Sequence, residues 1–229
     1  AAGNPALVRL LVVHLATVIG EYAAVVAVLV VAYDLGGSRA TGLVSIAVLV
    51  AGLGGSASAA GLVARHRPAQ VRRLGLAAQV AGYALAAVGA AADLLPLVVV
   101  GAVVALAAVT TLRPTGAVLL PSVVRSSGEL IVGNLWVARC EAVGALVGPL
   151  GVGVVAWRWG PTAAVAGCAV VAAIAAAASL DGPGPPPSGV ERPLSAALAT
   201  VRSNRATAGL LGVSVARYLI LGALDVLLV

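Results

Sequence analysis

The sequence predicts an all-α polytopic membrane protein, on the evidence of its composition and the length of its apolar runs. Hydrophobic residues make up 61% of the 229 residues, charged residues make up 10%, and the mean hydropathy is +1.10. A soluble domain carries about 25% charged residues, so this chain has too few charges to cover a surface in water. Apolar runs of about 20 residues, the length that crosses a hydrocarbon core of about 30 Å, follow one another along the chain.

Six of these runs are complete spans, and a seventh begins near residue 207 and is still running at Val229. Short segments rich in glycine, proline or charge separate the spans, for example residues 34–39 and 65–73. The sequence therefore predicts a bundle of six membrane helices with a seventh helix begun. The six predicted spans are residues 7–33, 41–64, 71–92, 97–120, 131–156 and 161–180.

A stretch rich in proline and glycine, residues 181–189, follows the sixth span and predicts a semi-rigid linker. Residues 190–206 predict a short amphipathic helix at the membrane interface, with three arginines on it. We therefore divide the chain into three parts. They are a six-helix bundle over residues 1–181, a cytoplasmic linker over residues 182–206, and the start of a second bundle over residues 207–229.

The placement of arginine predicts the orientation, because cytoplasmic loops carry an excess of positive charge. A cytoplasmic N-terminus places nine arginines inside and two outside. The net charge of +6 then follows from topology and from anionic lipid headgroups, so we expect the bilayer and no nucleic acid as a partner. The inner arginines are Arg9, Arg65, Arg67, Arg72, Arg73, Arg125, Arg192, Arg202 and Arg205, and the outer ones are Arg39 and Arg158.

The first span carries a polar stripe. His14, Thr17 and Glu21 follow i, i+3, i+7 spacing and share one helix face, which we expect to line an aqueous cavity. A charge at mid-membrane costs about 3 kcal/mol or more, so Glu21 is a candidate for the protonatable group of a carrier. The alternative is a structural glutamate paired with an arginine of another helix. For His14, a hydrogen bond to a neighbouring helix is the simpler interpretation.

The fourth and fifth spans contain further polar residues. Arg113 needs a carboxylate or water partner, and it either binds anionic substrate groups, tunes a carboxylate, or extends to the membrane surface. Asn134, Glu141 and Gly148 share a face at i, i+7, i+14, which makes Glu141 a second candidate carboxylate. The sequence leaves open whether Glu141 meets Arg113 or Arg217.

A glycine-proline pattern, Gly144-x-x-x-Gly148-Pro149-x-x-x-Gly153, lies on the fifth span. Glycines four residues apart leave one helix face without side chains, so a second helix can approach closely. A proline removes one backbone hydrogen bond and bends the helix. The pattern predicts a closely packed, bendable helix, as in a carrier whose bundles rock against each other, although small residues also occur in ordinary bundle packing.

Several segments resemble the major facilitator superfamily, and within it the bacterial drug- and siderophore-exporter-like group. These are residues 112–121, 129–134 and 148–149, together with residues 33–38 and 222–226. The resemblance implies a transporter of about twelve spans in a bacterial plasma membrane, of which this chain is the N-terminal six-helix bundle plus the start of the seventh helix. It implies proton-coupled export of amphipathic small molecules, as in drug efflux, with the C-terminal half of the same transporter as a partner.

Two motifs are similar to those of that superfamily. The pattern formed by Gly144, Gly148, Pro149 and Gly153 is similar to the span-five motif of its antiporters, with Val152 in place of one further glycine. The loop after the second span is similar to a Gly-x-x-x-Asp-Arg motif, but Arg65 and His66 occupy the last two positions. The resemblance therefore implies an altered gating latch. The remaining residues of the loop motif are Gly61, Arg67, Arg72 and Arg73.

Other functions stay open or are disfavoured. A siderophore or metabolite exporter of the same fold would need more cationic cavity residues, which Arg113 favours and the acidic stripe does not. A non-transporting membrane sensor or scaffold is favoured by the missing loop aspartate. An enzyme is not expected, since the sequence has no zinc-protease, phosphate-loop or nucleophile-elbow motif. We expect Cys140 and Cys168 to be free, buried thiols, and we expect neither a cofactor nor a metal.

Overall fold

A computed structural model describes residues 4–179, 203–209, 212, 213 and 216. Of the described residues, 93% are helical and none lies in a strand. The chain divides into two compact units, Ala1–Gly189 and Val190–Val229. In the second unit, residues 205–209 are helical, and the Asn204 side chain accepts hydrogen bonds from two backbone amides that follow it. Most of the predicted linker, with Arg192 and Arg202, lies outside the described residues, as do Arg217 and Asp225.

The first unit contains five helices, each long and apolar enough to cross a membrane, which suggests a membrane-embedded protein. Each predicted span overlaps one of these helices or, for the first two spans, one part of the first helix. The helices are α1 (Pro5–Arg65), α2 (Pro68–Ala91), α3 (Leu95–Val123), α4 (Ser127–Trp159) and α5 (Pro161–Ala178).

Helix α1 is broken where the sequence predicts the end of the first span. Gly36 and Gly37 have non-helical backbone angles and divide α1 into α1a, residues 5–35, and α1b, residues 38–65. Gly37 has φ 62° and ψ −158°, a combination that is open essentially to glycine alone. The six predicted spans therefore correspond to α1a, α1b, α2, α3, α4 and α5.

The ends of the helices follow from their sequence. A proline stands in the first turn of α1, α2, α3 and α5, where its missing amide costs nothing. Asn4 caps α1 with its side chain, and Ser126 caps α4 in the same way. The predicted break between the fourth and fifth spans, residues 121–129, contains the observed one at residues 124–126, and Pro121 itself lies in the last turn of α3.

The core of the bundle is built mostly from small side chains around Tyr83, and it joins all five helices, with α4 contributing Val152. Gly101 of α3 lies against α2 so closely that a Cβ there would be 2.5 Å from the Ala86 nitrogen and from the Gly82 oxygen. Cys140 and Cys168 are buried and free, as predicted. Helix α4 packs mainly on α1 and leaves most of its large apolar residues exposed, an arrangement that suits lipid or further helices.

Candidate functional site

The polar stripe of the first span lies on α1a, where His14, Thr17 and Glu21 are all half-buried. Glu21 is 16 residues beyond Pro5, about 24 Å along the helix, and so lies near the middle of α1a. The Thr17 hydroxyl donates to the Val13 carbonyl at 2.8 Å, within its own helix. The side chains of His14 and Glu21 are therefore the parts of the stripe that can contact neighbouring helices.

Arg113 of α3 joins the two candidate carboxylates. Its Nη2 atom donates to Glu21 Oε1 and Oε2, both at 2.9 Å, and its Nη1 atom lies 3.4 Å from Glu141 Oε1. The side chains of Arg113, Glu21 and Glu141 are 41%, 16% and 29% exposed. One guanidinium thus connects α1a, α3 and α4, with a close contact to Glu21 and a looser one to Glu141. Of the two arginines considered for Glu141, Arg113 makes this contact, and Arg217 lies outside the described residues.

His14 completes this cluster from α1a. Its Nε2 atom lies 3.5 Å from Glu141 Oε1, so the two groups attract each other when the imidazole is protonated. The same Nε2 atom is buried and makes no hydrogen bond among the described residues. The contact between His14 and Glu141 is therefore described as electrostatic. Asn134, predicted on the same face of α4 as Glu141, is exposed and does not reach the cluster.

A small pocket opens beside the four charged or titratable side chains. Its volume open to water-sized molecules is about 40 Å³, so it can hold water. Arg72 of α2 and Gly116 of α3 also line the pocket, and its other walls are aliphatic. The lining residues that carry polar or charged side chains are His14, Thr17, Glu21, Arg72 and Arg113.

The backbone beside Glu21 is supported by a polar pair that the sequence analysis did not identify. Gln79 and Tyr83 are fully buried on α2. The Gln79 amide donates to the Tyr83 hydroxyl at 3.4 Å, and that hydroxyl donates to the carbonyl of Gly20 at 3.5 Å. Gln79 Oε1 has no hydrogen-bond partner among the described residues. The signal in the sequence was an i, i+4 polar pair inside an apolar span.

The glycine pattern of α4 forms a contact with α1a, but its members do not contribute equally. Gly144 and Gly148 are buried against α1a, and Val152 continues the same face at the next interval of four residues. Gly153 is exposed, with open space where a side chain would be, because five residues from Gly148 turn it away from this face. Pro149 lies inside α4, which continues to Trp159.

The loop motif lies at the end of the bundle that contains Asn4. Gly61 and Arg65 are exposed near the end of α1b, and only residues 66 and 67 separate α1 from α2. The basic residues that follow point in different directions. Arg72 lines the pocket beside Glu21, whereas its neighbour Arg73 lines a separate groove between α1b, α2 and α3.

An arginine shared by two carboxylates can change its ion-pair partner when one of the carboxylates is protonated. The cluster of Arg113, Glu21 and Glu141 can undergo this exchange.

Comparison with protein-family models and with curated proteins finds no match to this chain. The resemblance to the major facilitator superfamily therefore stays a prediction from the residues that carry it.

Proposed function

We propose that the protein is a proton-coupled secondary transporter that exports amphipathic small molecules. The observation that supports this is the contact of Arg113 with Glu21 on one helix and with Glu141 on another, inside apolar helices. Charges within a membrane are costly and mark ion or substrate pathways more often than structure. An ion pair between apolar helices can often be replaced by apolar residues without loss of stability, which favours a role in moving charge.

In the proposed mechanism, Glu21 carries the proton and Arg113 responds to it. A proton on Glu21 removes the negative charge that holds the guanidinium in two hydrogen bonds. Glu141, already 3.4 Å from Arg113, then becomes its better partner. The strongest contact of Arg113 thereby moves from α1a to α4. Because α4 packs on α1a at Gly144 and Gly148, proton binding changes the electrostatic attraction across the contact between these two helices.

An anionic substrate is the second candidate. Arg72 lines the pocket beside Arg113, so two arginines and a histidine face a single lining carboxylate, Glu21. This favours an anionic substrate, as in a siderophore or metabolite exporter of the same fold. The pocket is small, so in either case we expect the substrate to contact its rim and its aliphatic walls as well.

The test uses the full-length protein in proteoliposomes, with a pH gradient and a panel of lipophilic cations and anions. We expect gradient-driven transport by the wild type, loss of that transport in Glu21→Gln, and retention in Asp93→Asn. The control removes the same charge from an exposed turn, where Asp93 has φ 55° and asparagine is well tolerated.

Three results separate the alternatives. Transport of anions but not cations would select the anionic substrate. Wild-type transport with unchanged pH dependence in Glu21→Gln would show that Glu21 is not the proton carrier. Ligand binding without transport under any gradient would replace the transporter by a membrane sensor or scaffold.

A further inference from the structure

Arg72 of α2 is a charged residue of the Glu21 pocket that the proposed mechanism does not use. It is half-buried and lines the pocket. In the part of the chain that the structure describes, its guanidinium forms no ion pair with a carboxylate and donates no hydrogen bond. The charges that act on Arg72 from nearby are those of Arg9 and Arg73, and both are positive. The charge of Arg72 therefore has no negative partner among the described residues.

The carboxylates around the pocket are already held by Arg113. Glu21 accepts hydrogen bonds from Arg113 at 2.9 Å through both of its oxygens, and Glu141 Oε1 lies 3.4 Å from the same guanidinium. Of the described residues that line the pocket, Glu21 alone is acidic, whereas Arg72 and Arg113 are both cationic. The lining therefore carries an excess of one positive charge when His14 is neutral, and of two when His14 is protonated.

A second polar group in the pocket makes no hydrogen bond. His14 lines the pocket, and its buried Nε2 atom has a 3.5 Å electrostatic contact with Glu141 but no hydrogen bond among the described residues. From Leu10 to Glu21 the pocket follows roughly 16 Å of α1a, and its volume open to water-sized molecules is about 40 Å³. Because the pocket can hold water, an anion not much larger than water also fits it.

We propose that the pocket binds a compact, singly charged anionic group beside Arg72. The group is a free chloride ion or the terminal carboxylate of an amphipathic substrate, which share one negative charge and a small size. Arg72 donates charge-assisted hydrogen bonds to it, and a protonated His14 adds to the attraction. A water molecule or a cation would leave the charge of Arg72 without a counter-charge in a largely apolar site. The carboxylate alternative rests on the proposed transport function, whereas chloride binding does not depend on it.

Chloride-dependent stability of the full-length protein tests this site. Thermal unfolding is followed in detergent micelles at fixed pH and ionic strength, while chloride replaces methanesulfonate, whose sulfonate group is bulkier than chloride. A ligand that binds only the folded protein raises the midpoint of unfolding, so the dependence of the midpoint on chloride concentration gives a dissociation constant. We expect a saturable rise for the wild type. In Arg72→Gln the dissociation constant should be about tenfold higher or more, because charge-assisted hydrogen bonds are lost.

Matched variants separate the pocket from the general charge of this end of the bundle. Arg67→Gln removes the same charge from an exposed position outside the pocket and should leave the dissociation constant unchanged. Arg72→Lys keeps the charge and should keep most of the affinity. Glu21→Gln removes the negative charge from the lining and should lower the dissociation constant for chloride. A general loss of stability would not produce opposite effects on chloride affinity in Arg72→Gln and Glu21→Gln.

Competition identifies the source of the anionic group. An amphipathic carboxylate that raises the midpoint and weakens its dependence on chloride, while its methyl ester does neither, would place the charged end of a substrate in the pocket. The same effect from bromide, and from no carboxylate, would assign the pocket to a free halide ion. Both results support the proposal.

The proposal is overturned if the midpoint does not depend on chloride, or if Arg67→Gln and Arg72→Gln weaken binding equally. Transport that Glu21→Gln abolishes, without any dependence of stability on chloride, would keep the proposed transporter and reject this site. Chloride binding that Arg72→Gln weakens, in a protein that transports nothing, would do the reverse.

Discussion

Substitution of Gly148 by alanine should weaken the contact between α4 and α1a. The added Cβ would lie 2.8 Å from the backbone nitrogen of Ala23 and 2.9 Å from the carbonyl oxygen of Ile19, whereas ordinary contact begins near 3.4 Å. Both obstacles are backbone atoms of α1a, so no change of side-chain rotamer can make room. The two helices must separate by roughly half an ångström along the line of contact.

The size of the effect follows from comparison with a second glycine of α4. Gly151 is exposed and has open space around it, so alanine there gains helix propensity without a clash. Alanine gains the same propensity at Gly148, so this term cancels between the two variants. What remains is the cost of overpacking a close contact, about 1–3 kcal/mol. We expect Gly148→Ala to lose that much free energy of unfolding relative to Gly151→Ala.

Tryptophan fluorescence provides the assay, because all three tryptophans of the sequence lie on α4. Reversible unfolding of the full-length protein in mixed micelles, with increasing dodecyl sulfate, gives the free energies of unfolding of the two variants. Gly153→Ala should behave like Gly151→Ala, although Gly153 belongs to the same sequence pattern as Gly148. The reasoning is refuted if Gly148→Ala is as stable as Gly151→Ala.

Three further predictions concern the cluster, a helix cap and the break in α1. The double variant Glu21→Gln/Arg113→Gln should lose less free energy of unfolding than the sum of the losses in the two single variants. We expect a coupling energy of about 0.5–3 kcal/mol in unfolding titrations, and additive losses would contradict the ion pair. Asn4→Ala should lower the free energy of unfolding by about 1–2 kcal/mol, because Asn4 caps α1 and donates to the Val123 carbonyl at 2.8 Å. An unchanged midpoint of thermal unfolding would refute this prediction. Gly37→Ala should cost about 1–3 kcal/mol through backbone strain, while Gly42→Ala, in an open helical position, should not destabilise the protein.

The helices could be predicted from the sequence because hydropathy and helix breakers act locally. An apolar run in a membrane must satisfy its backbone hydrogen bonds internally, and a helix does so whatever surrounds it. Glycines 36 and 37 mark the break in α1 for an equally local reason, since the backbone angles at Gly37 suit glycine alone. At Pro121 the predicted end of the fourth span is three residues early, because a proline can lie inside a membrane helix as well as at its end.

The members of the candidate site were predicted in part, and their pairing was not. A charge in an apolar span is visible in the sequence, which is how Glu21, Arg113 and Glu141 were found. The sequence could not show that Arg113 makes two hydrogen bonds to Glu21 and a looser contact to Glu141, because this depends on the distances between three helices. Gln79 was missed for the same reason, since its importance comes from its position behind Gly20.

The sequence by itself determined that apolar helices follow one another, where most of them begin and end, and which of them carry charge. Only the tertiary structure decided that Gly148 packs on α1a while Gly153 does not, and that Arg72 and Arg73 line different cavities. The physical reason is the range of the interactions. Hydropathy, caps and backbone angles act within a few residues, whereas close packing and charge pairing depend on how separate helices are placed against each other.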